Sequence, residues 1–255
     1  MPHSELKLAR LGNSPEIFHS LQGEGVSIGL PSIFIRASLC NLHCRWCDTD
    51  YTWNWEGTPW EHENDLLPDY QKFRKDEYIT TLDVTEVVSI ITSLPCHNII
   101  LTGGEPLLQD EAWCTLMQTL LEKDEQYRFE VETNGTLTPS SNFDTLINQY
   151  NVSPKLKNSG NKKSLRIQRA SLQFFSKSDK SWFKFVIAAQ SDLEEIETLI
   201  QKYNLPQERI LLMPEGRDTQ TLEKRRLWLA NICREKNFRF SDRLHINLWG
   251  SKRGV

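Results

Sequence analysis

The chain has no apolar run that approaches the length of a membrane span, and its first residues lack the apolar centre of a secretory signal. It also lacks a basic stripe, because its 30 Lys and Arg residues are mixed along the chain with 34 Asp and Glu residues. We therefore expect a cytoplasmic protein that has neither a membrane nor a nucleic acid as a partner. With 255 residues, of which 38% are hydrophobic, the chain can form a packed core.

Disulfide bonds are not expected either, since six cysteines in a cytoplasmic chain favour metal or redox chemistry. Three of the cysteines fall within eight residues, in the pattern Cys40-x3-Cys44-x2-Cys47. The other three are scattered among apolar neighbours and are expected to be small buried hydrophobic side chains: Cys96, Cys114 and Cys233.

The close spacing of Cys40, Cys44 and Cys47 favours an iron–sulfur cluster. Such clusters are held by thiolates, and a [4Fe–4S] cube ordinarily takes four of them. Three ligands from one loop would leave one iron open to a substrate or cofactor. A structural zinc site is an alternative, but it needs a fourth Cys or His, and His43 is directed away while Cys44 ligates. A ferredoxin-type carrier also needs a fourth cysteine, and three buried thiols without a metal are the remaining alternative.

Strand-like and helix-like segments alternate along the chain. Strands are predicted at 32–38, 98–102, 127–132, 151–153, 182–188, 209–213 and 244–249. Helices are predicted at 85–94, 111–122, 143–150, 193–203 and 221–235, with Asp83 or Thr85 as the cap of the first. Repeated βα units imply parallel strands with covering helices, and about six units are too few for a closed TIM barrel. We therefore expect an α/β fold, an open partial (β/α)6-type barrel, in a single domain over residues 1–255.

Residues 53–78 interrupt this alternation, directly after the loop that carries the cysteines. The segment has no clear period and mixes acidic residues with Pro59, Pro68 and five aromatic residues, Trp53, Trp55, Trp60, Tyr70 and Phe73. We expect an insertion that packs on the outside of the domain, with a lid or a partner-binding surface as the alternative.

Two motifs together resemble the radical S-adenosylmethionine superfamily. The first is the cysteine pattern with an aromatic residue, Trp46, before its last cysteine. The second is Thr102-Gly103-Gly104-Glu105-Pro106, at the end of a predicted strand. Adjacent glycines allow a close backbone approach, and ligands of α/β folds bind at the carboxyl ends of strands. The resemblance implies a radical enzyme built on an open partial barrel.

Further stretches resemble the 7-carboxy-7-deazaguanine synthases, from near residue 16 to the last residue. They are Leu21–Gly25, Arg36, Cys47-Asp48-Thr49, Glu132–Gly135, Ser153-Pro154-Lys155 and the tail 244–255. The Gln-Gly-Glu-Gly and Cys-Asp-Thr stretches are the ones that best distinguish this family from other radical enzymes. Compact members of this family are shorter where residues 53–78 lie.

This resemblance implies a carbon–nitrogen lyase of queuosine and 7-deazapurine biosynthesis. Its reaction contracts 6-carboxy-5,6,7,8-tetrahydropterin to 7-carboxy-7-deazaguanine with loss of ammonia. A [4Fe–4S] cluster and S-adenosyl-L-methionine supply a 5′-deoxyadenosyl radical that takes a hydrogen from C6, and Mg2+ assists. The resemblance also implies a homodimer that receives electrons from a flavodoxin or ferredoxin.

The resemblance assigns the site residues one by one. The cluster ligands are Cys40, Cys44 and Cys47, and Thr49 is the Mg2+ ligand. The positions implied for S-adenosylmethionine are Trp46, Cys47, Asp48, Gly104, Glu105, Ser153, Pro154, Lys155, Met213 and Pro214. The positions implied for the substrate are Leu21, Gln22, Gly23, Glu24, Arg36, Thr102, His245 and the terminal carboxylate of Val255.

Some of these positions have alternative interpretations. The guanidinium of Arg36 suits a substrate carboxylate, but it could form a structural ion pair. Met213 could belong to the core, and His245 could be a satisfied core residue of the last predicted strand. Two other functions also fit the cysteines: a radical enzyme that acts on a protein glycine, and a non-catalytic electron carrier.

Overall fold

The computed structural model describes residues 4–255, and within them eleven strands form one sheet. In chain order the strands are β1 Glu5–Leu11, β2 Ser14–Pro15, β3 Ile17–Leu21, β4 Pro31–Ala37, β5 Ile79–Asp83, β6 Asn98–Gly103, β7 Arg128–Thr133, β8 Gln149–Val152, β9 Ser181–Ile187, β10 Ile210–Pro214 and β11 Arg239–Phe240. Their main order across the sheet is β11-β10-β9-β8-β7-β6-β4-β1-β2.

Strand β4 and the strands from β6 to β11 are parallel to one another and follow one another in chain order. Six of them have four or more residues, whereas β11 has two. The two edges of the sheet, β11 and β2, are not paired with each other. The prediction of an open α/β barrel with about six units is therefore confirmed, and the carboxyl ends of all these strands lie at one end of the sheet.

An antiparallel edge next to β4 was not predicted. Strand β1 pairs antiparallel with β2, β4 and β5, and β3 pairs antiparallel with β4. The signal was present in β1, where buried Leu6 and Leu8 alternate with exposed Glu5 and Lys7. This period of two is typical of a strand with one face on the core.

Nine helices lie within the described part of the chain, beside short 3-10 turns. They are α1 Lys75–Tyr78, α2 Val84–Thr92, α3 Asp110–Lys123, α4 Ser141–Leu146, α5 Lys163–Arg166, α6 Arg169–Lys177, α7 Asp192–Tyr203, α8 Thr219–Lys236 and α9 Leu244–Trp249. Asp83 caps α2 as predicted, since its carboxylate accepts the Thr85 amide at 2.8 Å and the Glu86 carboxylate accepts the Asp83 amide in return. None of these helices combines the length and apolar character that crossing a membrane requires.

Two predicted elements were wrong. Residues 244–249 form helix α9 rather than a final strand, because β11 already occupies that edge of the sheet. Their apolar alternation was misleading, since Ile246 is buried whereas Leu248 is 51% exposed. The predicted helix at 143–150 ends at Leu146, and its last residues belong to β8.

The parallel strands separate apolar and polar side chains onto two faces. On β7, Phe129 and Val131 belong to the core under the helices, whereas Glu130 and Glu132 take part in polar contacts on the other face. On β9, Lys184 is buried between the core residues Phe183 and Phe185. Because side chains alternate along a strand, this pattern turns a row of polar groups toward the interior of the open barrel.

Residues 53–78 were expected to pack on the outside of the domain, but part of this insertion is buried. Trp53, Trp55 and His62 are buried, and the His62 imidazole lies 2.8 Å from the carbonyl oxygen of Cys47. The outer part of the segment is exposed to solvent, since the relative exposures of Leu66 and Leu67 are 82% and 57%. The insertion therefore packs on the loop that carries the cysteines and leaves its tip in solvent.

Packing of α3 against the sheet predicts a strong dependence of stability on Leu116, which is fully buried. Leu116→Ala should lower the free energy of unfolding by about 2–5 kcal/mol, because it removes buried methyl groups and leaves a cavity. Leu227→Ala on α8 is the matched control, since Leu227 is 74% exposed and its loss should change stability by about 0.5 kcal/mol or less. Chemical denaturation of both variants measures the difference, and equal midpoints would contradict the burial of Leu116 between α3 and the sheet.

Candidate functional site

A cavity of about 510 Å³ opens at the carboxyl ends of the parallel strands. It brings together residues that are far apart in sequence, as expected for a ligand site of an α/β fold. The predicted site residues on its wall are Leu21, Gln22, Gly23, Glu24, Arg36, Cys40, Cys44, Trp46, Cys47, Asp48, Thr49, Thr102, Gly104, Ser153, Lys155, Met213, Pro214, His245 and Val255. Glu105 and Pro154 are not among the lining residues.

The three cysteines belong to a loop that begins where β4 ends. Leu39, just before Cys40, has a left-handed backbone with φ of 73°. Its carbonyl oxygen accepts the Glu105 amide at 2.9 Å, and its amide donates to the Thr52 carbonyl oxygen at 3.1 Å. A Cβ on Gly104 would lie 2.0 Å from the Leu39 carbonyl oxygen, so only glycine fits there. The glycine pair therefore lets the backbone approach the cysteine loop itself.

Each of the three thiols has a polar neighbour. Asn161 Nδ2 lies 3.3 Å from Cys44 Sγ, and Thr49 Oγ1 lies 3.5 Å from Cys47 Sγ. The Leu42 amide lies 3.5 Å from Cys40 Sγ. Hydrogen bonds to sulfur are one way in which proteins set the potential of an iron–sulfur cluster.

The donor set fits a [4Fe–4S] cluster with one open iron. All three cysteines are free and line one cavity, and no other cysteine of the described residues does so. His43 is stacked on Trp60 with ring centroids 3.8 Å apart, so it is engaged outside the thiol set. Among residues 4–255 no three His, Cys, Asp or Glu side chains converge closely enough for a single metal ion. Three thiols without a fourth Cys or His suit a cube with one open iron better than a structural zinc ion, which takes four protein ligands.

Burial raises the pKa of Cys40 and Cys47, and it raises the pKa of Cys44 to about 12. Without a metal the thiols are therefore protonated near neutral pH. Ligands must be deprotonated to hold a metal, so loading the site releases protons.

The opposite side of the cavity carries a buried network of charges around Glu24. The Glu24 carboxylate accepts Arg243 Nε at 2.9 Å and forms a second ion pair with Lys184. Burial alone would raise the pKa of Glu24, but Lys184 and Arg243 hold it well below its ordinary value. Arg243 also donates to Asp48 and to the Gly216 carbonyl oxygen, so it joins the cysteine loop to the end of β10. Glu24 is therefore a fixed, ionised carboxylate.

His245 lies against the turn that carries Gln22, Gly23 and Glu24. A Cβ on Gly23 would lie 2.1 Å from His245 Nδ1, so this glycine is required by the contact. The Leu244 amide donates to the Gly23 carbonyl oxygen at 2.8 Å. The His245 Nε2 atom is 3.9 Å from Glu24. His245 thus belongs to the first turn of α9 and borders the cavity, although the strand predicted for it does not exist.

Arg36 was predicted to bind a substrate carboxylate or to form a structural ion pair, and its surroundings allow both. Its Nε donates to Glu16 at 3.0 Å, which is a structural ion pair. Its terminal nitrogens form no hydrogen bond to any described residue, while the side chain borders the cavity. Glu16 is fully enclosed and also accepts Arg253 at 2.6 Å and the Tyr51 hydroxyl at 3.2 Å. The Glu16 carboxylate therefore orients two arginines and leaves the two terminal nitrogens of Arg36 without a protein partner.

Arg253 fixes the C-terminal segment beside Arg36. Its guanidinium lies 3.5 Å from the Tyr51 ring centroid and donates to the Arg10 carbonyl oxygen at 2.9 Å. A Cβ on Gly254 would lie 2.8 Å from the Leu11 side chain, so the tail runs close to β1. This anchoring brings Val255 to the wall of the cavity.

Glu132 is a site residue that the prediction treated only as part of a motif. It accepts Thr102 Oγ1 at 2.6 Å and Gln22 Nε2 at 3.2 Å, and it lines the cavity. Lys184 and Arg243 were missed altogether. The only sequence signal for Lys184 was that it is a cation within an apolar strand. The residues around Arg243 in the sequence do not indicate its partner, because Glu24 lies 219 positions away.

The side of the cavity toward β8 holds the predicted Ser-Pro-Lys element. Lys155 Nζ donates to Ser153 Oγ at 2.9 Å and lies 5.6 Å from the Trp46 ring centroid. Trp46 donates from its indole nitrogen to the Asn158 carbonyl oxygen at 3.2 Å. The Met213 side chain is mostly buried at the wall of the cavity, beside Pro214.

Glu105 does not line the cavity, and its predicted contact with S-adenosylmethionine stays a prediction. Its carboxylate is fully buried and accepts Thr133 Oγ1 at 2.8 Å and the amides of Asn134 and Leu107 at 2.7 and 3.1 Å. Burial raises the pKa of Glu105, although these hydrogen bonds act in the opposite direction. The residue joins the ends of β6 and β7, so a contact with a ligand would require these bonds to open.

Comparisons with known proteins identify the family of the chain. The model of the Radical SAM superfamily matches residues 35–153. The 7-carboxy-7-deazaguanine synthase of Pyrobaculum aerophilum is 33% identical over 94% of this chain and 95% of the relative. The protein of the same name from Halobacterium salinarum is 33% identical over 92% of this chain and 89% of the relative.

A solved structure supports the fold. The crystal structure of QueE from Escherichia coli superposes with a TM-score of 0.66 over 95% of this chain and 96% of that one, at 23% identity. The resemblance inferred from the motifs is thereby confirmed: this chain belongs to the 7-carboxy-7-deazaguanine synthase family of the radical S-adenosylmethionine superfamily.

Proposed function

We propose that the protein contracts 6-carboxy-5,6,7,8-tetrahydropterin to 7-carboxy-7-deazaguanine and releases ammonia, within 7-deazapurine and queuosine biosynthesis. The observation that carries the proposal is one cavity that joins three free thiols to a fixed carboxylate, Glu24, and an open guanidinium, Arg36. The relatives from Pyrobaculum aerophilum and Halobacterium salinarum carry the name of this activity over nearly their whole length.

The cluster would be held by Cys40, Cys44 and Cys47, and S-adenosylmethionine would bind its open iron. Together these groups supply one-electron radical chemistry when bound. Trp46, Ser153 and Lys155 border the same part of the cavity, and they offer an aromatic face, a hydroxyl and an ammonium to the amino acid and nucleoside of the cosubstrate.

Glu105 would act in this proposal as a positioning residue. Its three accepted hydrogen bonds tie Thr133, Asn134 and Leu107 to the glycine element. Asn134 Nδ2 donates in turn to Asn41 at 2.8 Å, next to Cys40. Glu105 and Pro154 would therefore shape the cosubstrate wall from behind it.

The substrate would lie between Arg36 and Glu24. The free fork of Arg36 suits the carboxylate of the pterin, because a planar guanidinium can donate two parallel hydrogen bonds. Glu24 and Glu132 are acceptors that match the amino and ring N–H groups of the heterocycle. Lys184 and Arg243 would hold Glu24 ionised and in place, which lowers the cost of organising the site around each substrate.

We also propose that Mg2+ binds at Thr49, whose hydroxyl borders the cavity next to Asp48. A hydroxyl and a nearby carboxylate suit a hard cation that retains several waters.

A homodimer, a cytoplasmic location and reduction by a flavodoxin or ferredoxin are further parts of the proposal. The free state of every cysteine in residues 4–255 is compatible with a reducing compartment.

The assay of the proposed activity is anaerobic turnover by reconstituted protein with dithionite, S-adenosylmethionine, Mg2+ and carboxytetrahydropterin. We expect 7-carboxy-7-deazaguanine and ammonia from the wild type and from Cys96→Ala, whose thiol is not part of the cavity wall. Cys44→Ala should bind little iron and form no product, because it removes a cluster ligand. Absence of product from a fully loaded wild type would overturn the substrate assignment.

Substrate recognition by Arg36 predicts a specific kinetic loss. Arg36→Gln should reduce kcat/KM by roughly 30- to 1000-fold, since loss of a buried charge-assisted contact costs about 2–4 kcal/mol. Arg36→Lys should recover only part of the loss because an ammonium cannot reproduce the fork. Arg74→Gln is the control, since Arg74 is exposed and pairs with Asp76 far from the cavity. Unchanged kinetics of Arg36→Gln would restrict Arg36 to its ion pair with Glu16.

A further inference from the structure

Trp53 is the residue at which the cysteine loop passes into the insertion. It ends the short 3-10 turn Asp50–Thr52, and its amide donates to the Asp50 carbonyl oxygen at 3.0 Å. Only 3% of Trp53 is exposed, and the residue lines the cavity together with Cys47 and Thr49. The chain therefore returns an aromatic ring to the cavity wall directly after the last cluster ligand.

Two histidines pack against the Trp53 ring and restrict its rotation. The His43 ring meets it edge to face, with ring centroids 5.2 Å apart, and the His62 ring does so at 5.9 Å. His62 is itself attached to the cysteine loop, because its Nε2 lies 2.8 Å from the Cys47 carbonyl oxygen. The indole of Trp53 is therefore held in a fixed position beside the loop that carries the thiols.

The indole nitrogen of Trp53 is buried without a hydrogen-bond partner among residues 4–255. Three other buried side-chain atoms share this property, on Ser38, Asn54 and Ser181, but none of those residues lines the cavity. A buried N–H without an acceptor is unfavourable and rare in folded proteins. Its place on the cavity wall indicates that a bound group supplies the acceptor.

The indole N–H of Trp53 acts on Cys47. Burial and the Asp48 carboxylate raise the pKa of the Cys47 thiol, whereas hydrogen-bond donors on Thr49 and Trp53 act in the opposite direction. A thiol is only a weak acceptor, which agrees with the lack of a well-formed hydrogen bond from the indole. A thiolate carries negative charge and accepts more strongly. The donor is thus placed for the form of Cys47 that binds iron.

We propose that Trp53 is a positioning residue of the iron–sulfur cluster, and that its indole N–H donates to the sulfur of Cys47 and raises the reduction potential of the cluster. The inference rests on the proposed function, because it requires a [4Fe–4S] cluster on Cys40, Cys44 and Cys47. Reduction by one electron adds negative charge to the cluster. A donor to its sulfur therefore stabilises the reduced state more than the oxidised state.

The first test is a redox titration of the loaded cluster, followed by electron paramagnetic resonance without S-adenosylmethionine. Trp53→Phe keeps an aromatic ring beside His43 and His62 but removes the donor. The equilibrium constant for reduction should fall by about tenfold, which moves the potential of a one-electron couple by about 59 mV to more negative values. An unchanged potential in a variant with full iron content would overturn the proposal.

The direction of the shift separates the hydrogen bond from packing. A variant that only admits water to the cluster should become easier to reduce, because water stabilises the added charge. A shift of Trp53→Phe to more positive potential would therefore contradict the proposal.

Trp55→Phe is the matched control for this titration. Trp55 is a buried tryptophan of the same insertion, with 9% of the residue exposed, but it does not line the cavity. Its potential should equal that of the wild type. A shift equal to that of Trp53→Phe would assign the effect to packing of the insertion and would refute a role of the Trp53 donor.

A measurement on the unmutated protein tests the contact even if Trp53→Phe does not fold. Tryptophan labelled with ¹⁵N at the indole nitrogen should give a ¹⁵N hyperfine coupling in pulsed electron paramagnetic resonance of the reduced cluster, because a hydrogen bond to sulfur transmits spin density. Trp46 also lines the cavity, but its indole nitrogen donates to the Asn158 carbonyl oxygen. The coupling should therefore persist in Trp46→Phe. Its absence from the wild type, or its loss in Trp46→Phe, would overturn the proposal.

Product formation separates this inference from the proposed function. A loaded wild type that forms no 7-carboxy-7-deazaguanine would count against the substrate assignment, whereas a negative shift of potential in Trp53→Phe would still support the role of Trp53. Product formation by a wild type whose cluster has the same potential as that of Trp53→Phe would count against the role of Trp53 alone.

Discussion

The backbone contact between the end of β4 and the Gly103-Gly104 pair is the constraint on which the site depends. Ala37 and Leu39 leave no room for a Cβ at either glycine, and Leu39 adopts a left-handed conformation. The contact fixes where the cysteine loop leaves β4, and so it fixes how the three thiols are presented to the cavity. Glu105 secures the same junction from behind, through hydrogen bonds to residues at the end of β7. An isolated loop with three cysteines would have no such geometry, because its backbone would be free to collapse.

Charge pairing is the second requirement of this cavity. Glu24 and Glu132 line the cavity and Glu16 is buried beside Arg36, and at such positions an ion without a partner would be strongly unfavourable. Each is matched by cations or by neutral donors: Glu16 by two arginines, Glu24 by Lys184 and Arg243, and Glu132 by Thr102 and Gln22. The arrangement leaves the terminal nitrogens of Arg36 without a protein partner at a cavity wall that Glu24 and Glu132 also line. Substrate groups of opposite character can then replace water without leaving charges unpaired.

Local patterns were sufficient to predict the parallel half of the fold. Buried strands such as Asn98–Gly103 are short apolar runs, and the helices between them carry apolar faces and caps such as Asp83. The antiparallel edge at β1 was overlooked, and Leu244–Trp249 was assigned to a strand because alternation alone does not say whether a sheet position is free. Long-range pairs could not be predicted at all. Nothing near Arg243 in the sequence indicates that its partners are Glu24 and Asp48, and nothing near Glu16 indicates that it orients Arg36.

The insertion shows the same limit, since its composition predicts aromatic packing but not the partner of each ring. Trp53 and His62 pack inward on the cysteine loop, whereas Trp60 stays in solvent above His43. This division gives the segment two faces, one that supports the loop and one that is exposed to solvent. The position of the loop between a charged cavity and an exposed aromatic residue follows from the fold and not from the motif.

Electron paramagnetic resonance of the reduced, reconstituted protein tests the central claim most directly, because it reports on the iron that lacks a protein ligand. A cluster held by Cys40, Cys44 and Cys47 alone should change its g values when S-adenosylmethionine is added, as the sulfonium-bearing molecule takes the open position. A spectrum that is unaffected by saturating S-adenosylmethionine would mean that a fourth protein ligand fills that position, and it would contradict a cluster with three protein ligands.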